Sequence, residues 1–360
     1  MPANRLRTAV VGAGKMGRLH SRIYSQMDQV ELVGIVDSQI DKARQLADEY
    51  KTAASDNIET FIDKIDAVTI AVPTESHAAV AEPFLKRGIA VLVEKPLADS
   101  LDKARGMLEL SRQNNCILQV GYSERFNPVV QAMRRLKIKP RFVEANRVSP
   151  YTFRSTDVGV VFDIMIHDID IVLSLIDSEI ENICAVGVNV LGQHEDIANV
   201  RLSFANGCVA NLTASRLALK TERKVRIFSE DAYLSLDYLK KTGTMISKTA
   251  NIDMVQWIRQ QQDGDGQIDL LNTDWTSLIN VETLDMDDRE PLRMEQEAFV
   301  QAVIGKGHPE VSAEDAVRAM ELAERIVEKM GRHRWEGDSG ASISARHWKD
   351  GNRAKPTVKG

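Results

Sequence analysis

The fold of this chain turns on Arg7–Met27, RTAVVGAGKMGRLHSRIYSQM. Ala9, Val10 and Val11 form a short apolar run that predicts a buried strand, and a helical pattern begins soon after it. Between the two, Gly12, Gly14 and Gly17 fit G-x-G-x-x-G. In such a turn the first glycine permits the tight bend and the second lets a pyrophosphate approach the backbone. The third lets the helix pack closely on the strand. The phosphates would rest on the helix N-terminus, where free N–H groups and the helix dipole favour anions. Lys15 and Met16, inside the turn, are assigned with the glycines to the same cofactor. A second apolar stretch, VELVGIVD, ends in Asp37, 20 residues after Gly17, from where an acid can hydrogen-bond an adenosine ribose. An acid there repels a 2′-phosphate, so the expected cofactor is NAD rather than NADP. The alternative, a glycine turn in an α/β protein that binds no nucleotide, has strand, helix and Asp37 together against it.

The alternation continues outward. DAVTIAVP, IAVLVEKP and CILQVGY read as strands, and KARQLADEY, HAAVAEPFLKRG and LDKARGMLELSRQNN read as helices. Strands alternating with helices imply a doubly wound parallel sheet. Ligands of such sheets bind beyond the carboxyl ends of the strands. Pro73, Thr74, His77, Glu94, Lys95, Pro96 and Tyr122 fall at those ends, which makes Pro73, Thr74, His77, Glu94 and Lys95 candidate cofactor contacts. His77 either faces the nicotinamide end or is simply a histidine at a helix N-terminus. Lys95 follows a buried strand and precedes a proline that biases it toward an extended conformation. An ammonium held at the sheet edge can hydrogen-bond a substrate hydroxyl and favour its alkoxide-like form; the alternative is a surface lysine at the start of a loop.

At 360 residues and 43% hydrophobic, the chain is long for one core, so two domains are expected. The formal net charge of −6, with no long basic block, argues against nucleic acid or an acidic membrane as partner. Cys116, Cys184 and Cys208 show no zinc spacing and read as reduced thiols of a cytoplasmic protein. No signal peptide and no membrane-spanning run is visible. The first domain is expected over 1–123. Over 124–331 an α+β domain should follow with a large, open, mostly antiparallel sheet, its final helices packing back toward the first domain. Asn127 reads as a helix cap with Pro128 behind it, and Asn206-Gly207 as a hairpin turn. One face of the sheet should pack on the helix after Phe162, and the other should be exposed or buried in a homodimer or homotetramer. Ser312 should cap the last helix. The segment 243–276 is not placed, and 332–360 reads as a flexible or partner-draped tail.

FDIMIHDIDIVLSL, Phe162–Leu175, is apolar enough for burial yet carries three acids and a histidine. At 100° per residue Asp163, His167, Asp170 and Ser174 share a stripe of about 60°, while Asp168 lies off it among apolar residues. Asp163 can meet His167 at i, i+4 and fix its tautomer. His167 suits a general base because its pKa lies near the operating pH. Asp168 and Asp170 are expected to satisfy buried polar groups. No metal is expected, because a second histidine at ligand spacing is missing. Arg125, Arg154 and Arg216 are candidate anchors for a nucleotide diphosphate, since guanidinium forks match phosphate.

GAGKMG, AVPTESH at 71–77, EKP at 94–96 and FDIMIHDID at 162–170 occur in the order found in the Gfo/Idh/MocA family, which the chain resembles up to about Gly331. The resemblance implies a Rossmann domain followed by an α/β domain with an open sheet, and NAD(P)-linked oxidation or reduction of a sugar or cyclitol hydroxyl. It carries catalytic roles onto Lys95, Asp163 and His167. VGYSERFNPVV, SPYTFRSTDVGVVFD and GQHEDIANVRLSFANG look like the branch of UDP-N-acetylglucosamine 3-dehydrogenases, whose 3-oxo product is later aminated, as for lipid A. On that likeness the substrate contacts are Tyr122, Arg125, Asn127, Arg154 and His167, with Tyr122 standing where some relatives have His. A free-sugar or inositol dehydrogenase, and a non-catalytic NAD-binding regulator, are the alternatives.

Overall fold

The computed structural model describes residues 5–152, 158–191, 193–248, 279–305 and 307–333. Arg154, the Asp263–Gly266 loop, most of the 243–276 segment and the tail beyond residue 333 lie outside the described residues. Two compact units make up the chain: Met1–Phe126, Val161–Leu173 and Arg289–Gly360 form one, and Asn127–Val160 and Ser174–Asp288 the other. The first therefore takes in the histidine-bearing segment and the last helices, which the expected boundary at 123 had assigned to the second domain.

In the first unit, β1 (Leu6–Val11), β2 (Val30–Val36), β3 (Ala53–Ser55), β4 (Ala67–Ile70), β5 (Ala90–Glu94) and β6 (Leu118–Gly121) form one parallel sheet in the order β3-β2-β1-β4-β5-β6. The connecting helices include α1 (Lys15–Tyr24), α2 (Ile40–Tyr50), α3 (His77–Lys86) and α4 (Leu101–Gln113). This is the strand order of dinucleotide-binding folds, with its switch point between β1 and β4. Gly12 sits there with φ +104, and its N–H donates to the Val36 carbonyl at 2.7 Å. A Cβ on Gly12 would collide with the Ala71 carbonyl, and one on Gly17 with the Gly12 carbonyl. Both glycines are thus required by close backbone contact. At three residues, β3 is too short to show a periodicity in sequence.

Packing explains why the last helices join this unit. Phe299 and Val300, on the Pro291–Gly305 helix, fill a core with Val10, Tyr24 and Leu92. Ser312 caps the Ala313–Arg332 helix through a capping box with Asp315, which satisfies N–H groups left open at a helix start.

The second unit holds α5 (Pro128–Arg135) and an eight-stranded sheet of β7 (Phe142–Val148), β8 (Ile180–Val188), β9 (Ile197–Phe204), β10 (Val209–Ser215), β11 (Glu222–Phe228), β12 (Ala232–Asp237), β13 (Thr242–Lys248) and β14 (Ile279–Thr283). Its order is β14-β13-β12-β11-β7-β10-β9-β8, and every pair is antiparallel except β7 with β10. Strict alternation along β9 and β10 buries Ala198, Val200, Leu202, Ala210, Leu212 and Ala214 on one face. Asn206-Gly207 makes the β9–β10 turn, with Gly207 at φ +83. Among the described residues no helix is long and apolar enough to cross a membrane.

A buried ion pair braces this unit. Arg216 Nε lies 3.1 Å from Asp196 Oδ1, and Arg216 Nη2 donates to the carbonyls of Val158 and Glu195 at 2.8 and 3.0 Å. Asp196 Oδ2 in turn accepts the N–H groups of Val190 and Leu191, both at 2.7 Å. Removing one member leaves the other charged and buried. Asp196→Ala should therefore cost about 3–5 kcal/mol of unfolding free energy in urea titration; a cost under about 1 kcal/mol, the range of exposed pairs, would refute the bracing role.

Candidate active site

The parallel register of the first sheet sets the site. Glu94 pairs with Gly121 across β5 and β6, so Lys95 and Tyr122 leave the sheet side by side at its carboxyl edge. Lys95 Nζ donates to the Asp163 main-chain carbonyl at 3.0 Å and lies 3.7 Å from Asp163 Oδ1. The two side chains are 23% and 28% exposed, open enough to meet a ligand. The Lys95–Pro96 bond is cis.

Three contacts hold the chain on which Lys95 rides. Glu94 Oε1 is 2.9 Å from His20 Nε2, and Glu94 Oε2 accepts the Lys95 N–H at 3.3 Å. A Cβ at Gly121 would come within 3.2 Å of Glu94 Oε2, so the glycine leaves room for that carboxylate. His77 lies between the loops after β4 and β5, with Nδ1 2.9 Å from the Pro96 carbonyl and Nε2 3.0 Å from the Val72 carbonyl. Both ring nitrogens are engaged by protein and the ring is buried. His77 is accordingly a strut between two loops, which favours its reading as a helix N-terminal histidine over a cofactor contact.

The Phe162–Leu175 stretch differs from the expected continuous α-helix. Val161–Met165 is a π-helical turn, and α-helix follows over Ile166–Leu175. Asp163 lies in the widened turn and His167 in the α-helix, so the 60° stripe computed for one regular helix does not describe their relation. Such turns recur at functional sites because they re-aim side chains. Asp163 and His167 are half-buried, whereas Asp168 and Asp170 are buried. The Tyr122 ring meets His167 edge-on, with centroids 6.3 Å apart at 84°.

Tyr122 and Arg125 do not take the substrate-facing places expected of them. Tyr122 is 0% exposed, and burial first and the Asp170 charge second push its phenol far up. Its ring is enclosed by protein and packs against His167. Arg125 is 4% exposed and grips Asp170 with both arms of its fork, Nε to Oδ2 at 2.8 Å and Nη2 to Oδ1 at 2.5 Å. This satisfies Asp170 and removes Arg125 as a phosphate anchor.

In the second unit, Asn127 caps α5, accepting the Val129 N–H at 3.1 Å and donating to the Tyr238 carbonyl at 3.2 Å. Asn127 thus fills the capping place and not the expected substrate contact. Arg216 is likewise committed to Asp196.

The glycine turn fits a dinucleotide. Gly14 begins α1 without a side-chain cap, no acid occupies the first turn, and a Cβ on Gly14 would meet no atom within 4 Å. Open space in front of bare N–H groups suits a pyrophosphate. Asp37 lies alongside, its Oδ2 accepting the Ala13 N–H at 2.7 Å and its Oδ1 the Gln39 N–H at 2.9 Å. Lys15 is exposed and Met16 and Thr74 are half-buried at this edge, with Pro73 exposed.

Sequence reading missed His20 and Glu295. The first lies among polar residues of α1, and the second is an acid in an amphipathic helix, where acids ordinarily face solvent; no local signal marks either as buried.

An oxidoreductase family with an NAD-binding Rossmann fold matches residues 6–122, and the GFO/IDH/MocA C-terminal domain matches residues 137–235. The chain is 35% identical over 238 residues to UDP-N-acetylglucosamine 3-dehydrogenase of Acidithiobacillus ferrooxidans, covering 66% of this chain and 75% of that one. It is 28% identical over 230 residues to inositol 2-dehydrogenase of Rhizobium meliloti, covering 59% and 69%. A solved structure of the Acidithiobacillus enzyme superposes with a TM-score of 0.80 at 29% identity, covering 91% of this chain and 97% of that one. With the nucleotide turn, the EKP strand end and both domain types accounted for, the chain belongs to the Gfo/Idh/MocA family of NAD-binding oxidoreductases.

Proposed function

We propose that this oxidoreductase removes hydride from a secondary hydroxyl of a sugar, and that its substrate is UDP-N-acetylglucosamine, oxidised at C3 to the 3-oxo sugar. The observation that carries the reading is the Lys95 ammonium, held by Asp163 at the sheet's carboxyl edge on the strand end beside Tyr122 and its ring partner His167. The relative with 35% identity supports the choice of sugar.

Gly12, Gly14, Gly17, Lys15, Met16 and Asp37 would hold NAD, with Pro73, Thr74, Glu94 and Lys95 toward its nicotinamide end. NAD, when bound, supplies the hydride acceptor. A ring nitrogen of His167 takes the hydroxyl proton as the C–H bond gives up its hydride. Lys95 donates to the same oxygen and stabilises the negative charge that develops on it. Asp163 holds the ammonium in place through its carbonyl and its carboxylate, which lowers the cost of orienting a long side chain at the moment of reaction. Tyr122 limits the tilt of the His167 ring.

A free cyclitol or sugar is the second reading. The commitment of Arg125 and Arg216 to internal carboxylates favours it, because neither fork is left for a diphosphate. The likeness to inositol 2-dehydrogenase agrees with it. Purified protein with NAD and UDP-N-acetylglucosamine, free N-acetylglucosamine or myo-inositol decides by NADH absorbance. Turnover of the nucleotide sugar alone is expected; turnover of inositol alone would replace the first reading with the second. No turnover of any of them would point instead to a nucleotide-binding regulator.

His167→Ala should lower kcat by roughly 10²–10⁴-fold, the usual worth of a general base, with NAD affinity unchanged. Asp37→Ala should raise the NADP-to-NAD ratio of kcat/KM by roughly tenfold or more, because a carboxylate no longer opposes the 2′-phosphate; an unchanged ratio would remove Asp37 from cofactor choice. Assembly as a homodimer or homotetramer through the second sheet belongs to the same reading. Phe142, Phe228 and Tyr233, cross-strand partners whose rings meet at a tilt, lie on the face opposite its buried apolar row. Sedimentation at the monomer mass would refute it.

A further inference from the structure

Beneath Lys95 lies a buried polar cluster that the proposed mechanism does not use. The Pro291–Gly305 helix is tied to both elements that flank Glu94. Gln119, on β6, donates through Nε2 to the Glu295 carbonyl at 3.1 Å. The next residue, Gln296, donates through Nε2 to the His20 carbonyl on α1 at 3.2 Å. His20 in turn contacts Glu94 at 2.9 Å, and Glu94 accepts the Lys95 N–H. Glu295 is 0% exposed, and neither oxygen of its carboxyl has a hydrogen-bond partner among the described residues.

We propose that Glu295 is a positioning residue for the hydride-transfer site, acting on Lys95 through the Glu94 carboxylate. The proposal rests on the role given to Lys95 above. Two carboxyl groups that feel each other's charge, one of them fully buried, cannot both ionise cheaply. Glu94 is hydrogen-bonded to His20 and to the Lys95 N–H, contacts that the Glu295 carboxyl does not make. Burial first, and the charge of Glu94 second, push the Glu295 carboxyl well above the usual carboxylate range. Glu295 is therefore pushed toward its neutral form, while the Glu94 oxygens are taken up by His20 and by the Lys95 N–H. That division keeps Glu94 directed at His20 and at the main chain of Lys95. The other groups around Glu295 are Gln119, Gln296 and Tyr24, whose phenol burial pushes up to about 12 and which also senses Glu295. Among these, Glu94, His20 and Tyr24 are the titratable ones.

The sign of the pH effect follows. The Glu295 carboxyl is raised in the folded chain and ordinary in the unfolded chain. Above the ordinary value, the unfolded chain releases a proton that the folded chain retains. Stability contributed at acid pH is then lost as pH rises toward the folded value. Glu295→Gln keeps the shape and the neutral charge and carries no such linkage. Its thermal midpoint should exceed that of wild type by a margin that widens from pH 5 to pH 8. A margin that does not change with pH overturns the neutral-acid assignment, and with it the proposal.

The positioning role is read in turnover. Glu295→Ala should lower kcat by about tenfold or more while KM for NAD stays within about threefold, and Glu295→Gln should restore kcat to within about threefold of wild type. A KM rise with kcat unchanged overturns the proposal, as does a failure of the Gln variant to restore kcat while it folds normally. Should the Ala variant fail to fold, the pH-dependent margin and the kcat of the Gln variant carry the test. Lys95→Ala with full turnover would sink the role of Lys95 and this proposal together. Wild-type kcat in Glu295→Ala, in an enzyme that needs Lys95, would sink this proposal alone.

Discussion

The buried pair between Arg125 and Asp170 is the interaction on which the candidate site depends. Arg125 follows β6, and Asp170 lies one helical turn beyond His167. Its bidentate geometry fixes orientation as well as distance. It draws the Val161–Leu173 segment onto the carboxyl edge of the parallel sheet, where Asp163 reaches Lys95 and His167 meets Tyr122. A charge pair taken out of water contributes little net stability. Its worth here is specificity of placement, since an apolar contact would allow the helix to slide and roll.

Around that fixed point the edge is assembled by short connections. β5 and β6 deliver Lys95 and Tyr122 in register, His77 ties the loops after β4 and β5, and Glu94 turns back to hold the Lys95 main chain. The π-helical turn places Asp163 where one carbonyl and one carboxylate both serve the same ammonium. Lys95, Asp163 and His167 are thereby held by regular elements and short connections, the kind of preorganisation that the proposed hydride transfer needs.

Much of this was legible in the linear chain, and the parts that were not share a cause. The glycine turn, Asp37 and the strand ends could be read because each obeys a local rule of backbone sterics or spacing. The Asn127 and Ser312 caps and the Asn206-Gly207 hairpin were visible for the same reason. Arg125 could not be assigned, because a guanidinium fork suits a buried carboxylate as well as a phosphate. Tyr122 and His77 stand at the sheet edge in sequence, but which way each ring points is settled by neighbours from distant segments. Glu295 looked like one more surface acid of an amphipathic helix.

The sequence alone determined that a parallel nucleotide-binding sheet would form and which residues would stand at its carboxyl edge. Gly12 and Gly17 admit no side chain there, and alternating strands and helices can close in few ways. Tertiary structure alone decided which polar residues stay open at that edge and which are consumed inside the protein. Partner choice for a charge depends on what folding brings within a few ångströms, and Arg125 and Asp170 are 45 residues apart in the chain.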